Sequence, residues 1–129
     1  QVKVIAGKFE KAEGPVKGHN VEPVYFDVEL NKNKNFKFSI PPTHNTFIYL
    51  IKGEIKIGEK EHEKVKDSTL ILLSRGENLK VRAQTDAKFL VISGKPINEE
   101  IARGGPFVMN TKAEILQAVQ DYHNGTFVK

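Results

Sequence analysis

Residues 41–58 constrain the fold more than any other part of the chain, because they have the pattern of two strands joined by a glycine turn. Two prolines stiffen the entry, and Gly53 separates the first strand from its hairpin partner. Side chains two residues apart on a strand share a face, which places His44 and Thr46 together. Both faces are otherwise apolar, so the pattern predicts a central strand covered on both sides. The polar pair then lies where such a structure opens.

The rest of the first two-thirds of the chain also has the pattern of short strands. The other predicted strands are residues 2–5, 21–30, 36–40, 54–57, 69–73, 79–83 and 87–93. Turn signals recur about every eight to twelve residues, which is typical of an antiparallel sandwich or barrel of the jelly-roll type. Residues 7–20, 58–67 and 95–109 are predicted to be loops or irregular segments.

One helix is predicted near the C-terminus. Thr111 and Glu114 have the spacing of a capping box, and Gly125 is a typical helix end. The apolar stripe of this helix consists of Ile115, Leu116, Val119 and Tyr122. A single amphipathic helix that follows a β domain is expected to pack on the outside of the barrel and cover an apolar face.

Length and composition predict one domain over residues 1–129, with a barrel to about residue 94 and a tail with the helix from about 95. No apolar run approaches the roughly 20 residues of a membrane span, and the first residues do not form a signal peptide. Cysteine is absent, which suits a cytoplasmic location and excludes disulfides and thiolate metal sites.

The formal charge of +4 does not by itself indicate a nucleic-acid partner. The lysines are interleaved with glutamates, and no aromatic residues accompany them in a basic stripe. We therefore expect a solvated surface and no nucleic-acid binding. The abundance of lysine and glutamate is also typical of proteins from heat-tolerant organisms.

Several strings in the chain resemble a known family. Gly53-Glu54 after a strand and the polar pair at the mouth resemble a cupin, the small double-stranded β-helix barrel. The strings at residues 4–7, 14–16, 42–49, 94–111 and 121–127 resemble the C-terminal half of the pirin family. The most specific of them is Gly-Pro-Phe-Val-Met-Asn-Thr at residues 105–111. The resemblance covers nearly the whole chain.

This resemblance implies a fold, and it implies which barrel of the family carries the metal. Pirins are similar to two cupin barrels in tandem, and the N-terminal barrel carries a metal, usually iron, through three histidines and a glutamate. Some members are quercetin 2,3-dioxygenases or nuclear transcription co-regulators. Because this chain resembles only the C-terminal barrel, the resemblance implies no cofactor here and iron only in a full-length member.

The family's metal ligands can be compared with this chain position by position. The two histidines of the cupin pattern correspond to His44 and Thr46. The other two ligand positions, counted from Gly76, correspond to Leu79 and Val81. Threonine is a poor ligand and the two aliphatic residues are none, so His44 is the only ligand position that remains. We expect it to be hydrogen-bonded at the barrel rim, near Thr46 or a backbone carbonyl.

The remaining chemistry of the sequence is weaker. His62 lies in a charged loop, and His123 lies near the helix C-terminus, where a cation is favourably placed. No serine lies in a nucleophile-elbow motif, and no glycine-rich loop has the setting of a phosphate site. The candidate ligand contacts at the barrel mouth are His44, Thr46, His19 and Tyr25.

Three functions remain open from the sequence. The first is a metal-free, pirin-like cupin module with a structural, interaction or regulatory role. The second is one half of an iron-dependent dioxygenase of the quercetin 2,3-dioxygenase type, whose metal-bearing barrel lies outside this chain. The third is a barrel that binds a small ligand.

A single barrel of a two-barrel protein is expected to expose an apolar surface, through which it would contact its sister barrel or form a homodimer. The predicted location is the cytoplasm, or the nucleus in a eukaryote.

Overall fold

The computed structural model describes residues 1–17, 20–58 and 64–128. The chain divides into two compact units, residues 1–96 and residues 97–129. The first unit is built from β-strands, and the second contains a short hairpin and a helix. Within the described residues, no helix has the length and apolar character needed to span a membrane.

Two antiparallel sheets make up the first unit. Its strands are β1 (Val2–Ala6), β2 (Lys8–Phe9), β3 (Ala12–Glu13), β4 (Val24–Leu30), β5 (Asn35–Ser39), β6 (Asn45–Lys52), β7 (Glu54–Ile57), β8 (Lys64–Lys66), β9 (Thr69–Leu72), β10 (Asn78–Ala83) and β11 (Ala87–Gly94). The larger sheet has the order β1-β4-β11-β6-β9, and the smaller has the order β5-β10-β7-β8. Strands β2 and β3 form a separate small hairpin.

The core lies between the two sheets because alternate residues of each strand point inward. Along β11, Ala87, Phe89 and Val91 are buried, with half-buried residues between them. Rings meet across the gap: the centroids of Phe36 and Phe89 lie 5.8 Å apart. The other buried apolar residues of this core are Val24, Phe26, Val28, Ile40, Ile48, Leu50, Ile55, Leu79, Val81 and Ala83. The predicted all-β class with one C-terminal helix is confirmed.

The prediction that both faces of the central strand are covered is wrong for one face. In β6 the inward row is buried, as expected. On the outward row Tyr49 and Ile51 are exposed, and the neighbouring strand β9 adds Leu70 and Leu72, which are 54% and 77% exposed. The apolar pattern of β6 therefore reflects a core on one side and an exposed apolar surface on the other.

Two segments predicted as loops contain short strands. Residues 7–20 include the β2–β3 hairpin, and residues 58–67 include β8. In β8 only Val65 is apolar, and it lies opposite the buried Ile55 of β7. A three-residue strand with one apolar residue is too short for periodicity to reveal.

The second unit begins with a hairpin of β12 (Ala102–Gly104) and β13 (Phe107–Met109). Residues 95–109 were predicted to be irregular, so these strands are also a correction. Gly105 has φ 55° and Pro106 follows it, an order that suits a two-residue type II′ turn. The next residues of the specific string form β13, and Asn110 donates hydrogen bonds to the Glu99 side chain and the Glu100 carbonyl. The string is therefore explained by the structure of this unit.

The helix of this unit, α1, spans Lys112–His123. The predicted capping box is present: the Glu114 N–H donates to Thr111 Oγ1 at 3.2 Å, and the Thr111 N–H donates to the Glu114 carboxylate at 2.7 Å. The C-cap is Asn124, and Gly125 follows in the left-handed region. The predicted apolar stripe is wrong at two of its four residues, since Leu116 and Tyr122 are each 66% exposed, and the buried residue of the helix is Ala118.

The helix packs closely on the hairpin of its own unit. A β-carbon at Gly104 would lie 2.4 Å from Ile115 Cγ2, so only glycine fits this contact. Phe107 lies against the rings of Tyr122 and Phe127, with centroids 6.0 and 5.2 Å away. The expected packing of the helix on the barrel stays a prediction.

Candidate functional site

His44 lies at the entrance of β6, held by the turn that the two prolines begin. Its backbone N–H donates to the Pro41 carbonyl at 2.9 Å, and β6 starts at the next residue. The residue is only 4% exposed. A histidine that is buried this deeply needs partners for its ring nitrogens.

One ring nitrogen of His44 belongs to a buried hydroxyl network. Its Nδ1 lies 3.2 Å from Ser93 Oγ, and Ser93 Oγ lies 2.9 Å from Thr46 Oγ1. Thr46 on β6 and Ser93 on β11 are opposed in the strand register, and both are buried. The expected hydrogen bond at the barrel rim is present, with Ser93 as the partner.

The other ring nitrogen of His44 has no hydrogen-bond partner among the described residues. Its Nε2 is buried and has no partner there, and Glu22 Oε2 lies 3.8 Å away. Glu22 itself has φ 45°, a left-handed conformation that costs a residue with a long side chain about 1 kcal/mol or more. The backbone thus holds a carboxylate beside the unpaired imidazole nitrogen.

His44 and Glu22 are among the residues that line a cavity of about 390 Å³. The residues that line it are Gly7, Lys8, Glu13, Gly14, Val16, Lys17, Glu22, Pro23, Val24, Phe38, Ser39, Pro41 and His44. On its rim Lys17 donates a hydrogen bond to Glu13, and this contact, together with the positive charge, holds the pKa of the Glu13 carboxyl below its usual value. The walls are largely apolar, and the volume lies in the range of small-molecule sites.

The position of Glu22 decides between the two neutral forms of the imidazole. In the first form, the Ser93 hydroxyl donates to Nδ1 and accepts a hydrogen bond from Thr46. The ring proton then lies on Nε2 and points towards the Glu22 carboxylate. In the other form the Nε2 lone pair would face that negative charge. The first form is therefore favoured, and its N–H points towards Glu22 at the wall of the cavity.

Serine, histidine and glutamate occur together here, but their connectivity is not that of a hydrolase. In such triads the nucleophile bonds Nε2 and the carboxylate orients Nδ1. Here Ser93 is bonded to Nδ1 behind the ring, is buried, and does not line the cavity. The arrangement is suited to binding a polar group and not to nucleophilic attack.

The structure brings together only part of the predicted set of contacts. His44 lines the cavity and Thr46 lies behind it, whereas Tyr25 lies between the inward-facing Val24 and Phe26 and so points to the other face of its sheet. His19 and His62 lie outside the described residues.

The sequence analysis missed two residues of this site, Ser93 and Glu22. Ser93 had a signal in the sequence, as the polar residue in the otherwise apolar inward row of β11, but Glu22 had none.

The described residues do not fit the iron site that the resemblance attributes to the other barrel of the family. Leu79 and Val81 are buried in the core cluster, and Thr46 is bonded to Ser93. Among the described residues no group of three or more His, Asp or Glu side chains is placed to hold a metal ion. His44 and Glu22 alone supply two donors, and a mononuclear iron site needs more.

Comparison with known proteins gives consistent matches. The Pirin C-terminal cupin domain family matches residues 25–128. A pirin-like protein of Caulobacter vibrioides is 35% identical over 127 residues, which are 98% of this chain and 45% of that protein. Human pirin is 33% identical over 104 residues, which are 78% of this chain and 36% of pirin.

A solved structure matches equally well. The crystal structure of quercetin 2,3-dioxygenase from Acinetobacter baumannii superposes with a TM-score of 0.85 at 34% identity, over 98% of this chain and 43% of that chain. This chain therefore spans less than half the length of each of these relatives.

Proposed function

The chain belongs to the pirin family, as a Pirin C-terminal cupin domain, and we propose that it is a metal-free structural, interaction or regulatory module, one half of a two-barrel protein. In this proposal its work is to present surfaces to a second cupin barrel, and metal chemistry belongs to that barrel. The relatives, which are more than twice as long as the chain, leave room for such a second barrel.

The observation that carries the proposal is the chemistry of the positions that correspond to metal ligands. One position holds a threonine bonded to Ser93, and two hold the core residues Leu79 and Val81. Making a metal site there would require core side chains to be replaced by charged or imidazole groups, at the cost of the packing between the sheets.

Metal analysis tests this part of the proposal. The purified chain is equilibrated with Fe²⁺ under nitrogen and desalted, and its iron is measured by mass spectrometry. We expect far less than one equivalent, and the same amount for His44→Gln. One equivalent of bound iron that is lost in His44→Gln would contradict the proposal.

The exposed apolar face of the larger sheet supports the interaction role. Across β6 and β9, Tyr49 lies opposite Leu70 and Phe47 lies opposite Leu72, so two apolar rows continue to the sheet edge. We call these four residues and Ile51 the outer apolar face; Phe47 is half-buried and the other four are exposed. Contiguous exposed apolar residues on a sheet are typical of protein interfaces. We propose that a second cupin barrel covers this face.

Light scattering tests the role of the outer apolar face. In the isolated chain a second copy is expected to take the place of the absent barrel, so the mass should rise with concentration. Leu72→Lys should weaken this association, because it places a charge in the contact. Leu116→Lys is the matched control, since Leu116 is also an exposed leucine but lies on α1. A monomer at all concentrations, or equal effects of both changes, would contradict the proposed face.

The alternative function concerns a longer protein that contains this chain. The similarity to the Acinetobacter baumannii quercetin 2,3-dioxygenase supports dioxygenase activity for such a protein, with iron in the other barrel. In that case the present chain alone should leave quercetin unchanged under oxygen with added Fe²⁺. Oxidative cleavage of the flavonol by the chain alone would reverse the ranking of the two functions.

A second alternative is the binding of a small ligand in the cavity beside His44. It is favoured by one observation: His44, which lines the cavity, has a buried Nε2 with no hydrogen-bond partner among the described residues. A polar atom in this position loses free energy unless something hydrogen-bonds to it.

We also infer a cytoplasmic location for the protein. The absence of cysteine supports it, because secreted domains of this size often rely on disulfides. Cell fractionation with an antibody to the chain tests the inference, and recovery in the periplasmic or secreted fraction would contradict it.

A further inference from the structure

The cavity beside His44 combines one hydrogen-bond donor, one acceptor and an apolar wall. The donor is the Nε2 proton, which the network behind the ring orients through Ser93 and Thr46. The acceptor is the Glu22 carboxylate, 3.8 Å away. The apolar wall includes Val24, Phe38 and Pro41.

The separation of the two polar groups indicates what they bind. At 3.8 Å, Nε2 and Oε2 are too far apart for a direct hydrogen bond. Because Nε2 is buried, one oxygen reaches both atoms only when the exposed Glu22 side chain turns far enough to admit it. That oxygen must accept from Nε2 and donate to the carboxylate. A hydroxyl group does both, an ether oxygen can only accept, and a carboxylate would be repelled by Glu22.

We propose that this cavity binds a small, uncharged organic molecule through one hydroxyl group, which accepts from His44 Nε2 and donates to Glu22. The proposal rests on the ligand-binding alternative given above and adds the chemical class of the ligand. The body of the molecule lies against the apolar wall, and the volume of about 390 Å³ suits a molecule of one or two rings.

Three probes of similar size separate the relevant chemistry. Phenol carries a hydroxyl group, anisole has the same ring with an ether oxygen, and benzoate carries a negative charge. Each is titrated into the ¹⁵N-labelled chain, and the imidazole nitrogens of His44 are followed by NMR. We expect phenol to shift Nε2 and the amides of the cavity residues, and to bind more tightly than anisole and benzoate.

Variants of one residue then test the role of the carboxylate. Glu22→Gln keeps the shape of the exposed side chain but removes its charge, so phenol should bind at least about fivefold more weakly and benzoate should gain affinity. Glu77→Gln, at an exposed glutamate that does not line the cavity, should leave all three affinities unchanged. The amide spectrum of each variant confirms that it is folded.

The outcomes separate the hydroxyl proposal from ligand binding in general. If anisole binds as tightly as phenol at His44, or if Glu22→Gln leaves phenol binding unchanged, the cavity binds ligands but the hydroxyl proposal is wrong. If benzoate binds most tightly to the wild type, the site takes anions and the proposal is also wrong. If no probe shifts the His44 nitrogens, both the proposal and the ligand-binding alternative fail.

Discussion

Thr46 and Ser93 face each other directly across β6 and β11, with their hydroxyl oxygens 2.9 Å apart. The pair lies at the end of two inward rows that are otherwise apolar, and it connects the barrel interior to His44. Because both residues are buried, this network compensates each hydroxyl for lost water among the described residues. The pair therefore contributes to stability as well as to the orientation of the imidazole.

Removing the hydroxyl of Ser93 or of Thr46 should destabilise the first unit, and the loss should be larger for Ser93. Ser93→Ala takes a partner from both Thr46 and His44, so we expect a loss of about 1–3 kcal/mol in the free energy of unfolding. Thr46→Val keeps the shape and leaves Ser93 bonded to His44, so we expect about 1 kcal/mol. Urea unfolding of both variants and the double variant measures these values.

The double variant should cost less than the sum of the two single changes, since the pair shares one hydrogen bond. Ser74→Ala, at an exposed serine, is the control and should change stability by less than about 0.5 kcal/mol. Strict additivity of the two changes would show that the hydroxyls do not interact in the folded protein.

The strands were predictable wherever one face is buried and the other is not. Residues 24–30 alternate in burial as their sequence alternates in polarity, whereas residues 87–94 alternate in burial although their sequence is a nearly continuous apolar run. Short strands such as β8 and β12 were missed because two or three residues carry no measurable period. The specific string at 105–111 identified the family, but its hairpin was predicted as irregular.

The site was predictable only in part, because it depends on contacts between distant segments. His44 and Thr46 were found because they lie two residues apart at the entrance of one predicted strand. Ser93 comes close to them only through the register of β11 against β6, and a single sequence does not give that register. Glu22 lies in a loop, whose conformation no periodic pattern describes.

The capping box of α1 gives a prediction for the second unit. Thr111→Ala removes the side-chain acceptor of the Glu114 N–H and should lower the stability of the helix by about 1 kcal/mol. Hydrogen exchange of the α1 amides measures the loss locally. Thr111→Ser keeps the hydroxyl and should retain most of the stability, so equal exchange in the Ala and Ser variants would contradict this role of the cap.

The contact between Gly104 and Ile115 gives a second prediction for this unit. Gly104→Ala places a methyl group only 2.4 Å from Ile115 Cγ2, so the side chain or the helix that carries it must shift. Overpacking of this kind typically costs about 1–3 kcal/mol. Hydrogen exchange of the α1 amides, with Gly76→Ala as a control at a glycine with open space, measures the effect.

Ile115→Ala tests whether steric conflict is the cause of that loss. It removes Cγ2, so the combined Gly104→Ala and Ile115→Ala variant should be more stable than the sum of the single effects predicts. A combined effect equal to that sum would mean that the glycine is needed for another reason.

The last prediction concerns the ion pairs of Lys88 on the outward face of the larger sheet. Its Nζ lies 3.0 Å from Glu29 Oε1 and 3.4 Å from Asp27 Oδ2. The hydrogen bond from Lys88 and its charge hold the pKa of Glu29 below the usual value, and the same contacts raise the pKa of Lys88. The stabilisation from Glu29 is therefore present above the pKa of an unfolded glutamate and is lost as the pH falls through the lower pKa of the folded state.

Lys88→Met should move the pKa of Glu29 up towards its usual value in an NMR titration of the side-chain carboxyl carbon. Lys37→Met, at an exposed lysine of the other sheet, should leave it where it is. If Glu29 titrates at the same pH in the wild type and in Lys88→Met, the ion pair does not form in solution.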